Sequence, residues 1–185
     1  MTPTLPPRLM LLRHAMPDAV EEVAPRDWRL SDDGRAAARA LRVLLPADAL
    51  LLASDEAKAL DTVREAAGGA AVLADPGFGE VHRPAEWVSD HRARARAYVE
   101  GTPHDGWEPR QDVAARFEAA VRRHTTTGRT LVIGTHGMAA TVWLATRTTI
   151  DPGPYWEGLC FPDLIAVDLV AGTAARVSAA APPHP

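Results

Sequence analysis

The stretch "LMLLRHAMPD", residues 9–18, runs from an unbroken apolar segment straight into Arg13 and His14. A short apolar run without alternation reads as a strand buried on both faces, the pattern of a parallel sheet. "RLMLL" (8–12) is therefore assigned to such a strand, with Arg13 and His14 where the chain leaves it. Two further runs have the same build. "ALLLA" (49–53) hands over to Ser54, and "TLVIGT" (130–135) hands over to His136 and Gly137. "DLIAVDLV" (163–170) reads as a fourth strand, with "ARVSA" (175–179) a hairpin partner across "AGTA".

Helical patterns fill the intervals. Ser31 precedes Asp32 and Asp33, a cap with acidic residues in the first turn, and Ala37, Leu41 and Leu44 follow at helical spacing. Ser54 precedes Asp55 and Glu56 in the same way; Ala57, Leu60, Val63 and Ala67 form one face, and Gly68-Gly69 ends it. A third helix carries Val113, Phe117, Ala120 and Val121 and ends near Gly128, and a fourth begins after His136 with Met138, Val142 and Ala145 inward. Residues 76–109 read as loop, with a short polar helix in "SDHRARARAYVEG". This alternation predicts a three-layer α/β/α sandwich with a mostly parallel central sheet. It is expected to form a single domain over 1–185, with a core of about 8–172 between Pro-rich, loose ends.

Bulk properties exclude several classes of function. Hydrophobic residues make up 46% and charged residues 24% of the 185, the balance of a soluble globular protein. A net charge of -4 offers no basic field to nucleic acid or anionic lipid. No apolar run approaches a membrane span, and the start lacks the layout of a signal peptide, so a cytoplasmic protein with no nucleic-acid or membrane partner is expected. A single cysteine, Cys160, excludes an internal disulfide and a Cys-based zinc cluster and reads as a packed thiol. His82, His91 and His104 lack an H-E-x-x-H pattern, so no metal or other cofactor is expected.

Parallel neighbouring strands would bring their exits to one edge, where ligands bind in such sheets. Arg13, His14, Lys58 and His136 would meet there with two helix N-termini, whose unpaired N–H groups favour a phosphate. Taken singly, each piece has a plainer reading. An Arg-His pair at a strand end is usually a surface feature, Lys58 a solvated helix residue, and "GTHG" a turn. Their order along the chain is what points to an anion site containing a histidine.

That order resembles the histidine phosphatase superfamily, the phosphoglycerate-mutase-like fold. "LLRHA", "ASDEAKALDTV" and "LVIGTHGMAATVWL" are similar to its Arg-His-Gly, Ser-x-x-x-Arg-Ala-x-x-Thr and second His-Gly segments, in that order. "WRLSDDGRAAA" and "WEPRQDVAARF" resemble two further segments, so the likeness covers roughly residues 8 to 172. The resemblance implies that His14 is the nucleophile, held as phosphohistidine during turnover, and that Arg13 grips the phosphate. It implies that His136 and Gly137 bind the transferring group from the other side. Glu80, in "FGEVHRP", falls where the family keeps its general acid, with Glu86 an alternative.

Two departures from the family pattern stand out. Lys58 replaces the second clamping arginine, keeping the charge but losing the planar fork. Ala15 replaces the customary glycine, which matters only if the backbone there needs φ > 0 or a close approach. The expected activity is metal-independent hydrolysis of a phosphomonoester, the substrate being a small phosphorylated metabolite or a phosphohistidine protein. A catalytically weak phosphate-binding member and a mutase are the alternatives; the compact length favours a hydrolase over a mutase. Arg92, Arg94 and Arg96 read as a solvated helix face, and Trp87 and Trp107 as candidate walls of the substrate pocket. Specificity is expected to lie in residues 15–30 and 76–110, while substrate identity and oligomeric state stay open at this level.

Overall fold

The computed structural model describes residues 9–84, 89–125 and 127–177. Its centre is a six-stranded sheet built from β1 (Leu9–Arg13), β2 (Leu50–Ala53), β3 (Leu73–Ala74), β4 (Leu131–Thr135), β5 (Asp163–Asp168) and β6 (Thr173–Arg176). The spatial order is β3-β2-β4-β1-β5-β6. β3, β2, β4 and β1 run parallel, β5 is antiparallel to β1, and β6 is antiparallel to β5. β5 is thus the reversed strand in a mostly parallel sheet.

Helices cover both faces. α1 (Asp32–Ala40) and α2 (Ala57–Ala66) pack together on one side. On the other lie α3 (His91–Glu100), α4 (Arg110–Thr125), α5 (Gly137–Arg147) and α6 (Pro152–Glu157). The period of two along β1 divides the cores: Leu9 and Leu11 join the cluster with Phe117 and Trp143, whereas Met10 and Leu12 join Val63 and Ala66. Phe117 and Trp143 are fully buried and stack at 4.9 Å between ring centroids. Each such side chain stabilises the fold by roughly 2–3 kcal/mol through apolar burial. No helix among the described residues is long and apolar enough to cross a membrane.

Local signals explain most element ends. Ser31 caps α1, its Oγ accepting from Gly34 N at 3.0 Å. α4 buries the expected stripe of Val113, Phe117, Ala120 and Val121. α5 follows His136 and is buried along Gly137–Leu144, as befits the helix between α3, α4, α6 and the sheet.

Three details differ from the sequence pattern. Ser54 does not cap α2; its Oγ accepts from Glu56 N in the preceding turn, and Glu56 is the N-cap. The buried residues of α2 are Lys58, Ala59, Asp61, Thr62, Val63 and Ala66, a face rotated from the apolar stripe. That rotation lays the helix on β4 at Gly134, where a Cβ would stand 2.4 Å from Val63 Cγ2 and 3.0 Å from Ala59 O. β6 begins two residues earlier than "ARVSA", because Gly172, at φ 67°, turns the chain and frees Thr173 to pair with Asp168. β3, two exposed residues long, carries too little pattern to be recognised.

Candidate active site

The register Arg13↔Thr135 and Ala53↔Gly134 leaves β1, β4 and β2 ending level with one another. His14, Ser54 and His136 are the next residues of each strand. His14 N donates to Thr135 O at 3.0 Å and Ser54 N to Gly134 O at 2.8 Å, extending the ladder to the functional edge. A cavity of about 610 Å³ opens there, lined among others by Arg13, His14, Lys58, Glu80 and Gly137. His136 is fully buried beside it, its ring centroid 5.2 Å from that of His14. All six residues singled out from the sequence therefore meet at one sheet edge.

Arg13 is anchored by its own neighbourhood. Its Nη1 donates to Leu159 O at 2.8 Å and to Cys160 O at 3.3 Å, and its Cζ lies 3.5 Å from the centre of the Phe161 ring. Burial pushes the guanidinium down to about 10, against the pull of Glu80 and Asp163, so it remains a cation at neutral pH. Its Nε is buried without a hydrogen-bond partner among the described residues, a donor left over for a ligand.

His14 Nδ1 lies 2.9 Å from Ala15 O. A carbonyl only accepts, so this contact places the ring proton on Nδ1 and the lone pair on Nε2. Burial, followed by the charges around His136, Lys58 and Arg13, holds the ring well below the usual histidine range. His14 is thus a neutral imidazole at pH 7. Ala15 itself has negative φ, like every non-glycine among the described residues, and its N donates to Thr62 Oγ1 at 2.9 Å. Alanine is unstrained at this position.

Lys58 is buried, and its Nζ donates to Glu56 Oε2 and Pro25 O, both at 2.7 Å. Burial raises the Glu56 carboxyl, but Lys58 and the amide of Glu80 more than offset this and hold it below its ordinary range. Glu80 accepts through Oε1 from Ala139 N at 2.9 Å and Val81 N at 3.0 Å, with Met138 N 3.4 Å from Oε2. Its carboxylate therefore sits against the N-terminus of α5, where the helix dipole favours an anion. At Gly137 a Cβ would lie 3.2 Å from Trp156 Nε1 and 3.3 Å from Arg13 Nε, so a side chain would crowd the arginine. Neither ring nitrogen of His136 has a hydrogen-bond partner among the described residues, and burial, with Lys58, Arg116 and Arg13, holds it well below the usual histidine range.

Two residues that the sequence reading passed over join this group. Glu56, quoted only as a helix-start residue, bridges Lys58 and Glu80; an acid two residues before a buried lysine was its only signal. Arg116 donates to the carbonyls of Gly77, Gly79 and Glu80 at 2.9–3.0 Å and pairs with Glu108 at 2.7 Å. It braces the loop that carries Glu80, and its only signal in the sequence is its place in "WEPRQDVAARF", the stretch that resembles a family segment.

Other expectations fall out differently. Glu86 and Trp87 lie outside the described residues. Trp107 packs against Tyr98 and His104 rather than lining the cavity; Trp28 and Trp156 do that. Arg92, Arg94 and Arg96 do form the expected solvent-facing side of α3, Arg94 paired with Asp90, Arg96 with Glu100 and Glu157, and Arg92 over the Trp156 ring. Cys160 is exposed rather than packed, because the chain turns outward before β5. Among the described residues no cluster of His, Cys, Asp or Glu could hold a metal ion.

A sequence profile of the histidine phosphatase superfamily (branch 1) matches residues 9–170. Among solved structures, a mycobacterial glucosyl-3-phosphoglycerate phosphatase superposes with a TM-score of 0.71 at 21% identity, covering 92% of this chain and 96% of its own. A phosphoglycerate mutase from Thermus thermophilus gives 0.67 at 22% identity, covering 93% and 99%. A protein described as mycobacterial hydrolase 2 gives 0.67 at 25% identity, covering 86% and 82%. No curated protein matches the sequence significantly.

Proposed function

The chain belongs to the histidine phosphatase superfamily, and on that premise we propose that it hydrolyses a phosphomonoester through a phosphohistidine at His14. The observation that carries this reading is the contact of His14 Nδ1 with Ala15 O, which leaves Nε2 as a neutral lone-pair nitrogen at the cavity. In the first displacement Nε2 attacks phosphorus, the P–O bond to the alcohol breaks, and Glu80 donates a proton to the leaving oxygen. In the second, Glu80 takes a proton from water, the hydroxide oxygen attacks phosphorus, and the P–N bond returns its electrons to His14. Arg13, Lys58, His136 and the Gly137 amide hold the phosphoryl oxygens, the positioning and charge compensation on which phosphoryl transfer depends.

Chain length does not separate a hydrolase from a mutase, since the Thermus phosphoglycerate mutase is matched over 99% of its own length. A cavity of about 610 Å³ has room for water beside a phosphoryl group, which favours hydrolysis of a small phosphorylated metabolite or of a phosphohistidine side chain. A weakly active phosphate binder is the second reading, favoured by the engagement of Lys58 with Glu56 and Pro25. The test is hydrolysis of p-nitrophenyl phosphate by wild type and His14→Ala, with and without EDTA. Turnover that resists EDTA and disappears in the variant is expected; turnover that survives the substitution, or that EDTA abolishes, would overturn the mechanism.

A further inference from the structure

The family pattern assigns a cation at position 58 but gives no role to the acid two residues earlier. We propose that Glu56 is a positioning residue: it sets how Lys58 meets the phosphoryl group and ties that clamp to the loop carrying Glu80. The inference rests on the phosphate-site reading above and extends it to a residue outside that mechanism.

Glu56 is the N-cap of α2, with extended backbone at φ -73° and ψ 134°. Its side chain is turned inward, 12% exposed, and both carboxylate oxygens are in use. Oε2 accepts from Lys58 Nζ at 2.7 Å. Oε1 accepts from Glu80 N at 2.8 Å and stands 3.5 Å from His136 Nε2. One carboxylate thus touches the lysine clamp and the backbone of the proposed general acid, and approaches the second histidine.

The consequence for Lys58 follows from donor counting. An ammonium has three N–H bonds, and two of them point at Glu56 and Pro25. The remaining one is left for a phosphate oxygen, so a flexible point charge becomes a directed donor. The carboxylate also offsets the ammonium charge, so an arriving phosphate shares Lys58 with Glu56 instead of capturing it. The clamp is aimed at the cost of a weaker grip on free phosphate, the product that must leave.

Charge and reach can be separated by two substitutions. Glu56→Gln keeps the shape but removes the charge, and its amide can accept from only one of Lys58 Nζ and Glu80 N. Glu56→Asp keeps the charge but is one methylene short of spanning both. The probes are inorganic phosphate, titrated calorimetrically into the full chain, and p-nitrophenyl phosphate turnover.

In Glu56→Gln, phosphate is expected to bind roughly fivefold tighter or more, as a nearby negative charge is lost. Its kcat is expected to fall roughly tenfold as the aim of the clamp is lost. Glu56→Asp is expected to bind phosphate within about twofold of wild type and to share the tenfold loss in kcat. A merely structural role would loosen phosphate binding in both variants. Unchanged or weaker phosphate binding in folded Glu56→Gln, or wild-type kcat in Glu56→Asp, would overturn the proposal; the aspartate variant suffices if the glutamine one does not fold. Wild type that binds phosphate but hydrolyses nothing would sink the hydrolase reading alone, leaving the affinity comparison to decide this one. Wild type that binds no phosphate would sink both.

Discussion

Arg13, His14 and His136 stand at strand ends fixed by hydrogen bonds to neighbouring strands, whereas Glu80 stands on a loop fixed by side chains. On the floor of the site, β1, β4 and β2 set every backbone position through the sheet register. On the wall, residues 75–80 are held largely by side chains, with Asp75 and Arg116 among the main anchors. Asp75 accepts from Gly77 N and pairs with Arg123 and His124, and Arg116 gathers the carbonyls of Gly77, Gly79 and Glu80. A floor made of repeating ladder bonds tolerates the loss of any one; a wall held by a few charged side chains does not. The proposed nucleophile is thus placed by the fold, and the proposed proton donor by individual residues that can be removed one at a time.

The contrast can be broken most severely at His14. His14→Ala is expected to lower kcat by roughly 10⁴-fold or more while the thermal unfolding curve stays in place, because the floor persists without its nucleophile. A large drop in melting temperature would show instead that the floor depends on the imidazole. Glu80→Gln is expected to lower kcat by roughly 10²–10³-fold. A smaller effect there than in Glu86→Gln, measured on the same substrate, would transfer the acid role to Glu86.

The wall itself is tested through Arg116→Met, which touches no substrate. It leaves three carbonyls and the mostly buried Glu108 without their partner, so a stability loss of about 3 kcal/mol by urea unfolding is expected. The same substitution should lower kcat about tenfold through Glu80. Retained activity would mean that the loop is held by other means.

Lys58 stands on α2, outside the floor, and Lys58→Arg is expected to change kcat/KM by no more than about fivefold, in the favourable direction if the arginine forks onto the phosphate. A large loss would mean that Lys58 has a substrate-specific role that a guanidinium cannot fill. The smallest effect is expected from pH. With the pKa of His14 held well below the ordinary value, its protonation should cost no activity as pH falls from 8 to 6.5, and a rate loss centred at 6.5 would contradict the buried neutral ring. The linkage for stability has a definite sign. Below about pH 6.5 the unfolded chain binds protons that folded His14 and His136 refuse, so stability falls with pH from there down to their folded-state values.

The same division governs how much could be read in advance. Unbroken apolar runs that end in Arg13-His14 or His136-Gly137 announce both a strand and its exit, because burial and chemistry occupy successive residues. Lys58 could be named but not its surroundings: the apolar stripe of α2 points elsewhere, and the burial of a lysine depends on a carboxylate and a carbonyl brought from outside the helix. Glu56 read as a helix-start acid and Arg116 only as part of a stretch resembling a family segment, since periodicity says nothing of which polar side chain turns inward. Glu80 was located by family resemblance alone, as its loop has no period to read. The short β3 depends on a pairing partner some twenty residues away in β2, and the early start of β6 on the tight turn at Gly172 that its own hairpin makes.

Gly134 gives the comparison a physical scale. With no Cβ on β4, α2 settles until Val63 and Ala59 occupy the place of that missing carbon. The helix bearing Lys58 and the strand leading to His136 are therefore gauged against each other by the width of one methyl group. Gly134→Ala would act as a shim: it would push the ammonium away from the imidazoles while leaving every residue of the cavity chemically intact. The bore of the site is machined into its scaffold two residues before the second histidine, at a position that does not line the cavity.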